Sequence, residues 1–220
     1  MSLQARADIL AAAMPGPGQG PIDPAAIAGA AAGLLAAPAD VRPALTTTPI
    51  EQFVAQVTAP RLGATLERVA AIADLPAAVA AYLAAHDLPA RVAVPPDPAL
   101  LALDWRELTI SRTIAADEAA ALGVARWGIA ETGSLVFHSG PQAPTLFNFL
   151  PLHHIVLLPA ACVLPHLEDY VDACAAAGAP VPRTTSLITG VSGTTDIEGS
   201  YVRGAHGPRF LHIVLLENQA

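Results

Sequence analysis

From about residue 49 onward the hydrophobic positions fall into short blocks whose period keeps switching, and the blocks predict alternating helices and strands. Residues 50–57 read as a short helix, 64–69 as a strand, 75–86 as a helix, 91–94 as a strand and 108–111 as another strand. Asp117 and Glu118 mark a helix start, with acids in the first turn and Gly123 as its stop. Residues 134–138 and 155–158 read as strands that are apolar on both faces. Pro165 opens a helix in which Leu164, Leu167, Val171 and Cys174 are spaced for one buried face. Residues 186–189 and 210–216 close the set as strands. Strands that alternate with helices and are apolar throughout predict an α/β fold with a mostly parallel sheet covered by helices.

The front of the chain has a different texture. Residues 3–14 read as a helix and 15–21, rich in Pro and Gly, as a linker. Asp23-Pro24 opens an Ala-rich helix ending near Ala37, and 38–49 is Pro/Thr-rich and irregular. The expected organisation is a helical extension with linker over residues 1–48 and one α/β domain over 49–220.

Composition narrows the chemistry. The chain is 53% hydrophobic and 14% charged, enough apolar content for a buried core. A net charge of -8 argues against a nucleic-acid partner, which needs a basic face. All eleven basic residues are Arg. Without Lys there is no Schiff-base lysine and no P-loop. Two cysteines, Cys162 and Cys174, fall short of the four ligands of an ordinary iron–sulfur cluster, so the expectation is that this chain alone binds no cofactor and no metal. Free thiols fit a cytoplasmic protein. Residues 132–167 carry no charged side chain, but prolines and histidines interrupt them, so they read as domain interior and no membrane span is expected.

Four clusters carry candidate chemistry. In the first, Glu131 precedes Thr132, Gly133 and a buried strand; it reads either as a general base or nucleophile, or as a turn residue accepting backbone N–H groups. In the second, His153 and His154 are adjacent on an extended segment and must point to opposite faces, so they do not share one metal; one can face a site. The third runs from a strand through Gly190, Ser192, Gly193, Thr194, Thr195 and Asp196 toward an expected helix. Such a loop either presents N–H and O–H donors to an anion or simply caps the helix. The fourth, with His206, Gly207 and Arg209, is a basic turn in an acidic chain, suited to carboxylate or phosphate capture or to surface ion pairing.

Read together, Ile129-Ala-Glu-Thr-Gly133, Leu150-Pro-Leu-His-His-Ile155, Thr195-Asp-Ile-Glu198 and Gly204-Ala-His-Gly-Pro-Arg209 resemble, in order and spacing, the LutC/YkgG family of lactate-utilisation (LUD-domain) proteins. The resemblance implies a fold like the ribose-5-phosphate isomerase/CoA-transferase (NagB/RpiA-like) group. It also implies a part in oxidising L-lactate to pyruvate beside iron–sulfur partner proteins. The family loop reads close to S-G-P-S-[RK]-T-A-D-I-E; here Thr189 replaces the first Ser, Val191 the Pro, Gly193 the basic residue and Thr195 the Ala. Arg203 or Arg209 is then the cation left for a small carboxylate or phosphate ligand. A self-sufficient isomerase/transferase-type enzyme acting on a phosphorylated or CoA-linked substrate, and a non-catalytic small-anion sensor, are the competing readings. The expectation for geometry is that Glu131, the 190–196 loop and the 206–209 turn meet in one pocket.

Overall fold

The computed structural model describes residues 4, 23–36, 42–178, 182–195 and 198–217. The expected helix over 3–14 and the linker over 15–21 lie outside the described residues, apart from Gln4, as does Asp196. The chain divides into two compact units, Met1–Pro43 and Ala44–Ala220. In the first, helix α1 (Pro24–Leu35) forms where the Ala-rich run favours it, and the side chain of Asp23 accepts from the Ala25 N–H at its start.

The second unit is built on a six-stranded parallel sheet. Its strands are β1 (Thr65–Val69), β2 (Arg91–Ala93), β3 (Thr109–Ser111), β4 (Ala120–Val124), β7 (His153–Pro159) and β12 (Phe210–Leu216), in the order β1-β12-β7-β4-β2-β3. β7 and β12 are central, so both their faces are covered and both are apolar without alternation. On one face Ile155, Leu157 and Val214 pack against Val79, Tyr82 and Leu83 of helix α3 (Leu75–Ala85) and against Leu100 of the short helix α4 (Pro98–Leu101).

On the other face Val156, Leu158, Ile213 and Leu215 meet helix α2 (Pro49–Val57) through Phe53 and Val57, and meet a second, smaller sheet. That sheet has the order β8-β5-β6-β9, from β5 (Trp127–Ile129), β6 (Ser134–His138), β8 (Val163–Leu164) and β9 (Thr185–Ile188). Helix α5 (Leu167–Ala177) follows β8, and strands β10 (Gly193–Thr195) and β11 (Tyr201–Arg203) form an antiparallel hairpin. Among the described residues no helix is long and apolar enough to cross a membrane.

Four expectations need correction. Residues 118–123 do not form a helix: Ala120–Val124 is a parallel strand buried between β2 and β7. There the Ala residues and Gly123 are selected for small size, with Phe147 over Ala121 and His154 against Gly123, and tertiary packing overrides helix propensity. β6 belongs to the smaller sheet, antiparallel to β5 and β9, rather than to the main parallel one. Helix α5 has no buried face; Leu167 and Val171 are exposed. The segment after Ser192 is a strand, where Thr194 and Thr195, β-branched and exposed, pair with Val202 and Tyr201, so this loop does not end on a helix N-terminus.

Candidate functional site

The two adjacent histidines sit on β7 and face opposite sides of the sheet, as the two-residue period of a strand requires. His153 joins the helix-covered face, where its Nδ1 lies 2.9 Å from the Tyr82 hydroxyl and its ring stacks on Phe210 with centroids 4.3 Å apart. Burial first, and His86 second, bring its pKa down to about 4. The same burial pushes the Tyr82 hydroxyl up to about 12. His212 in the next strand stacks on Tyr82 and is held by Thr65 and Glu67 at 2.8 and 3.2 Å. This layer is internally satisfied and reads as structure.

His154, on the opposite face, is different. It is 0% exposed, and neither ring nitrogen has a hydrogen-bond partner among the described residues. Burial alone depresses its pKa to about 3, so the ring is neutral at physiological pH. A neutral imidazole carries one donor and one acceptor, and leaving a buried polar group unmet costs about 1–3 kcal/mol. Its surroundings are close: the Phe137 ring centroid is 5.5 Å away, and a methyl group built on Gly123 would lie 2.5 Å from His154 Nε2. Gly123 therefore has to be glycine for this histidine to occupy its place.

His154 forms one wall of a cavity of about 240 Å³. The others are the segment Thr189–Ser192 that leaves β9, the turn His206–Pro208 that enters β12, and Asn148. Backbone hydrogen bonds fix these walls: Ser192 N–H donates to the Pro208 carbonyl at 2.9 Å, Gly204 N–H to the Ser192 carbonyl at 2.9 Å, and Val191 N–H to the Leu62 carbonyl at 3.0 Å. Gly190 makes the approach to Leu62 possible. It has φ 87, and a methyl group there would lie 2.7 Å from the Leu62 carbonyl oxygen.

The structure thus brings together His154, Gly190, Ser192, His206 and Gly207 from three of the four sequence clusters. Glu131, Thr132, Gly133, Gly193, Thr194, Thr195 and Arg209 do not line this cavity. Glu131 instead accepts the Leu167 N–H at 3.0 Å, at the first residue of α5. Thr132 Oγ1 lies 2.7 Å from Ser134 Oγ, which lies 2.6 Å from Thr189 Oγ1, a hydroxyl relay that ends at the cavity wall. Gly133, at φ 73, packs on Gln56 and Leu62. Gly193, Thr194 and Thr195 are in the β10–β11 hairpin, and the guanidinium of Arg209 lies 5.7 Å from the Phe210 ring centroid. Sequence reasoning assigned none of Asn148, Ser134 and Thr189 to the site; Ser134 and Thr189 lie at the edges of the first and third clusters, and only Asn148 carried no signal. Among the described residues no group of three or more His, Cys, Asp or Glu side chains is placed to hold a metal ion.

With this geometry in place, the relationships of the chain become informative. The family profile described as LUD domain matches residues 105–216, which include β4, β7, β12 and every residue of the cavity. A protein of Geobacillus thermodenitrificans called "Lactate utilization protein C" is 33% identical over 109 residues, 47% of this chain and 45% of the relative. "Lactate utilization protein C" of Halalkalibacterium halodurans is 30% identical over 117 residues, covering 50% and 51%. "Uncharacterized protein YkgG" of Escherichia coli is 30% identical over 112 residues, covering 49% and 48%. The chain spans about half the length of the curated relatives it matches. The crystal structure of a DUF162 family protein from Deinococcus radiodurans shares the fold, with a TM-score of 0.53 and 22% identity over 79% of this chain and 99% of that one.

Proposed function

The chain belongs to the LUD-domain family, and from that premise we propose that it is a LutC-like component of L-lactate to pyruvate oxidation that acts with iron–sulfur partner proteins. The observation that carries the reading is His154, a fully buried imidazole with both nitrogens unmet on the wall of a cavity sized for a small molecule. A 2-hydroxy acid supplies what such a ring lacks: a carboxylate oxygen for its N–H and a hydroxyl proton for its lone pair. Ser192 and His206 add polar groups to the lining. Relatives named for lactate utilisation support the same ligand class.

In this reading His154 orients the hydroxyl, and its low basicity keeps it an acceptor at neutral pH. Forming pyruvate removes two electrons and two protons from lactate; the iron–sulfur partners would take the electrons and solvent the protons. Glu131 positions the turn before β6 against α5, and the Thr132–Ser134–Thr189 relay holds one wall of the cavity.

The test is to purify the chain with and without the iron–sulfur partners and follow L-lactate-dependent dye reduction. The expected result is activity only for the complete set, and at least a tenfold loss on His154→Leu in a variant that still unfolds cooperatively. Dye reduction by the chain alone, or full activity of the partners without it, overturns the proposal.

A further inference from the structure

A second and larger cavity, about 910 Å³, opens elsewhere in the same unit. Its position follows from topology. After β2 the chain passes through α4 on the helix-covered face; after β4 it passes into β5 on the opposite face. β2 and β4 are neighbours in the sheet, so their carboxyl ends diverge and leave a crevice between them. Pro95 and Asp97 line it from beyond β2, and Gly123, Val124 and Arg126 from β4 and beyond. Such a reversal point is where parallel α/β sheets bind ligands. Gly123, which has no side chain, borders the crevice, and Phe147, packed over Ala93 and Ala121, forms part of its wall.

The lining chemistry is specific. Arg126 and Arg183, far apart in sequence, both border the cavity, and among the described residues neither is paired with a carboxylate. The one acid present, Asp97, uses its Oδ1 to accept the Ala99 N–H at 2.9 Å and cap α4. Phe137, Phe147 and several prolines make the remaining wall apolar. At the inner end Asn148 is 8% exposed, and its side chain has no hydrogen-bond partner among the described residues. An amide with two donors and an acceptor on the lining of the crevice offers hydrogen bonds to a ligand atom there. His138 is held by Tyr170 at 2.9 Å, and burial first and Arg126 second lower its pKa.

We propose that this crevice is a second ligand site, distinct from the His154 cavity and sharing only Asn148 with it, that binds an organic anion with an extended apolar body. The arginines at the mouth hold the anionic group, the Phe and Pro walls cover the body, and the Asn148 amide receives a polar atom at the inner end. The volume exceeds what a three-carbon acid fills and falls in the range of sites for larger metabolites.

The probe is 8-anilinonaphthalene-1-sulfonate, an anion on an apolar body, titrated by fluorescence into the full chain without lactate or partners. N-phenyl-1-naphthylamine serves as its uncharged counterpart. One saturable site that weakens with salt is expected, with tighter binding of the sulfonate than of the neutral probe. The Arg126→Gln/Arg183→Gln double variant should lose at least tenfold in sulfonate affinity and leave the neutral probe unchanged. Gly140→Phe should weaken both probes, because Gly140 borders the cavity and a side chain there has open space to enter. Arg61→Gln, away from the crevice, should change nothing. Equal affinity for both probes, several weak sites, or unaltered binding in the double variant with a native melting profile would overturn the assignment.

Discussion

The carboxylate of Glu131 accepts the backbone N–H of Leu167 at 3.0 Å, which places an acid from the turn before β6 at the N-terminal residue of α5. The two segments are tied again by Glu131 N–H donating to the Pro165 carbonyl at 3.1 Å. An acceptor at a helix N-terminus satisfies one of its orphan N–H groups and is favoured further by the helix dipole.

Replacing this carboxylate separates local structure from chemistry. Glu131→Ala should lower stability by about 1 kcal/mol, the usual size of a lost N-terminal cap, whereas Glu131→Gln keeps an acceptor and should lose less than half of that. Urea denaturation of both variants measures it. Unchanged stability in both, with lactate-dependent activity abolished, would instead make Glu131 a substrate-contacting residue.

Gly190 should tolerate no side chain. Alanine there meets both a left-handed backbone, at φ 87, and the Leu62 carbonyl oxygen at 2.7 Å. Gly190→Ala is expected to cost at least about 2 kcal/mol and to pull the Thr189–Ser192 wall away from the cavity. Thermal unfolding gives the first quantity; faster amide exchange at Val191, whose N–H now bonds to Leu62, gives the second.

At the start of α2, Thr48 and Glu51 cap each other reciprocally: the Thr48 side chain accepts the Glu51 N–H, and the Glu51 side chain accepts the Thr48 N–H at 3.3 Å. Thr48→Ala should destabilise by about 1 kcal/mol and Thr48→Ser by only a few tenths. Because α2 carries Phe53 and Val57 into the core under the smaller sheet, the loss should appear in global unfolding rather than as local fraying.

These contrasts also show which parts of the molecule a sequence can disclose. β7 and β12 were legible because a central parallel strand is apolar on both faces, a pattern no surface helix imitates. β4 was not, because Asp117, Glu118 and a run of Ala reproduce a helix start, while the reason for small residues lies in His154 and Phe147, which the sequence keeps distant. β6 read correctly as a strand but not as a member of a second sheet, since its partner β9 arrives only after β7 and α5. Gly190, Ser192, His206 and Gly207 announced themselves through local motifs and do share a cavity. Arg126, Asn148 and Arg183 belong to no motif, and only the reversal of strand order between β2 and β4 gathers them.

The buried imidazole of His154 makes a last prediction about pH. Its folded-state pKa is brought down to about 3, against about 6.5 in an unfolded chain. Below pH 6.5 the unfolded chain takes up a proton that the folded chain refuses, so acidification favours unfolding. This contribution to stability is therefore fully present above about pH 6.5 and is lost progressively as pH falls toward 3. One such group contributes a slope of about 1.4 kcal/mol per pH unit, or about 2 kcal/mol between pH 6.5 and 5. His153, brought down to about 4, and His212 and His138, also depressed by burial, act in the same direction. His154→Leu removes one of these protons: the stability of the variant should fall less steeply between pH 7 and 5, by about one proton in the slope, even if its stability at pH 7 is shifted. Urea titrations of both proteins at three pH values across that window measure the slope directly. Parallel pH dependences would mean that His154 binds a proton equally well in the folded chain, which would in turn remove the neutral acceptor on which the lactate site depends.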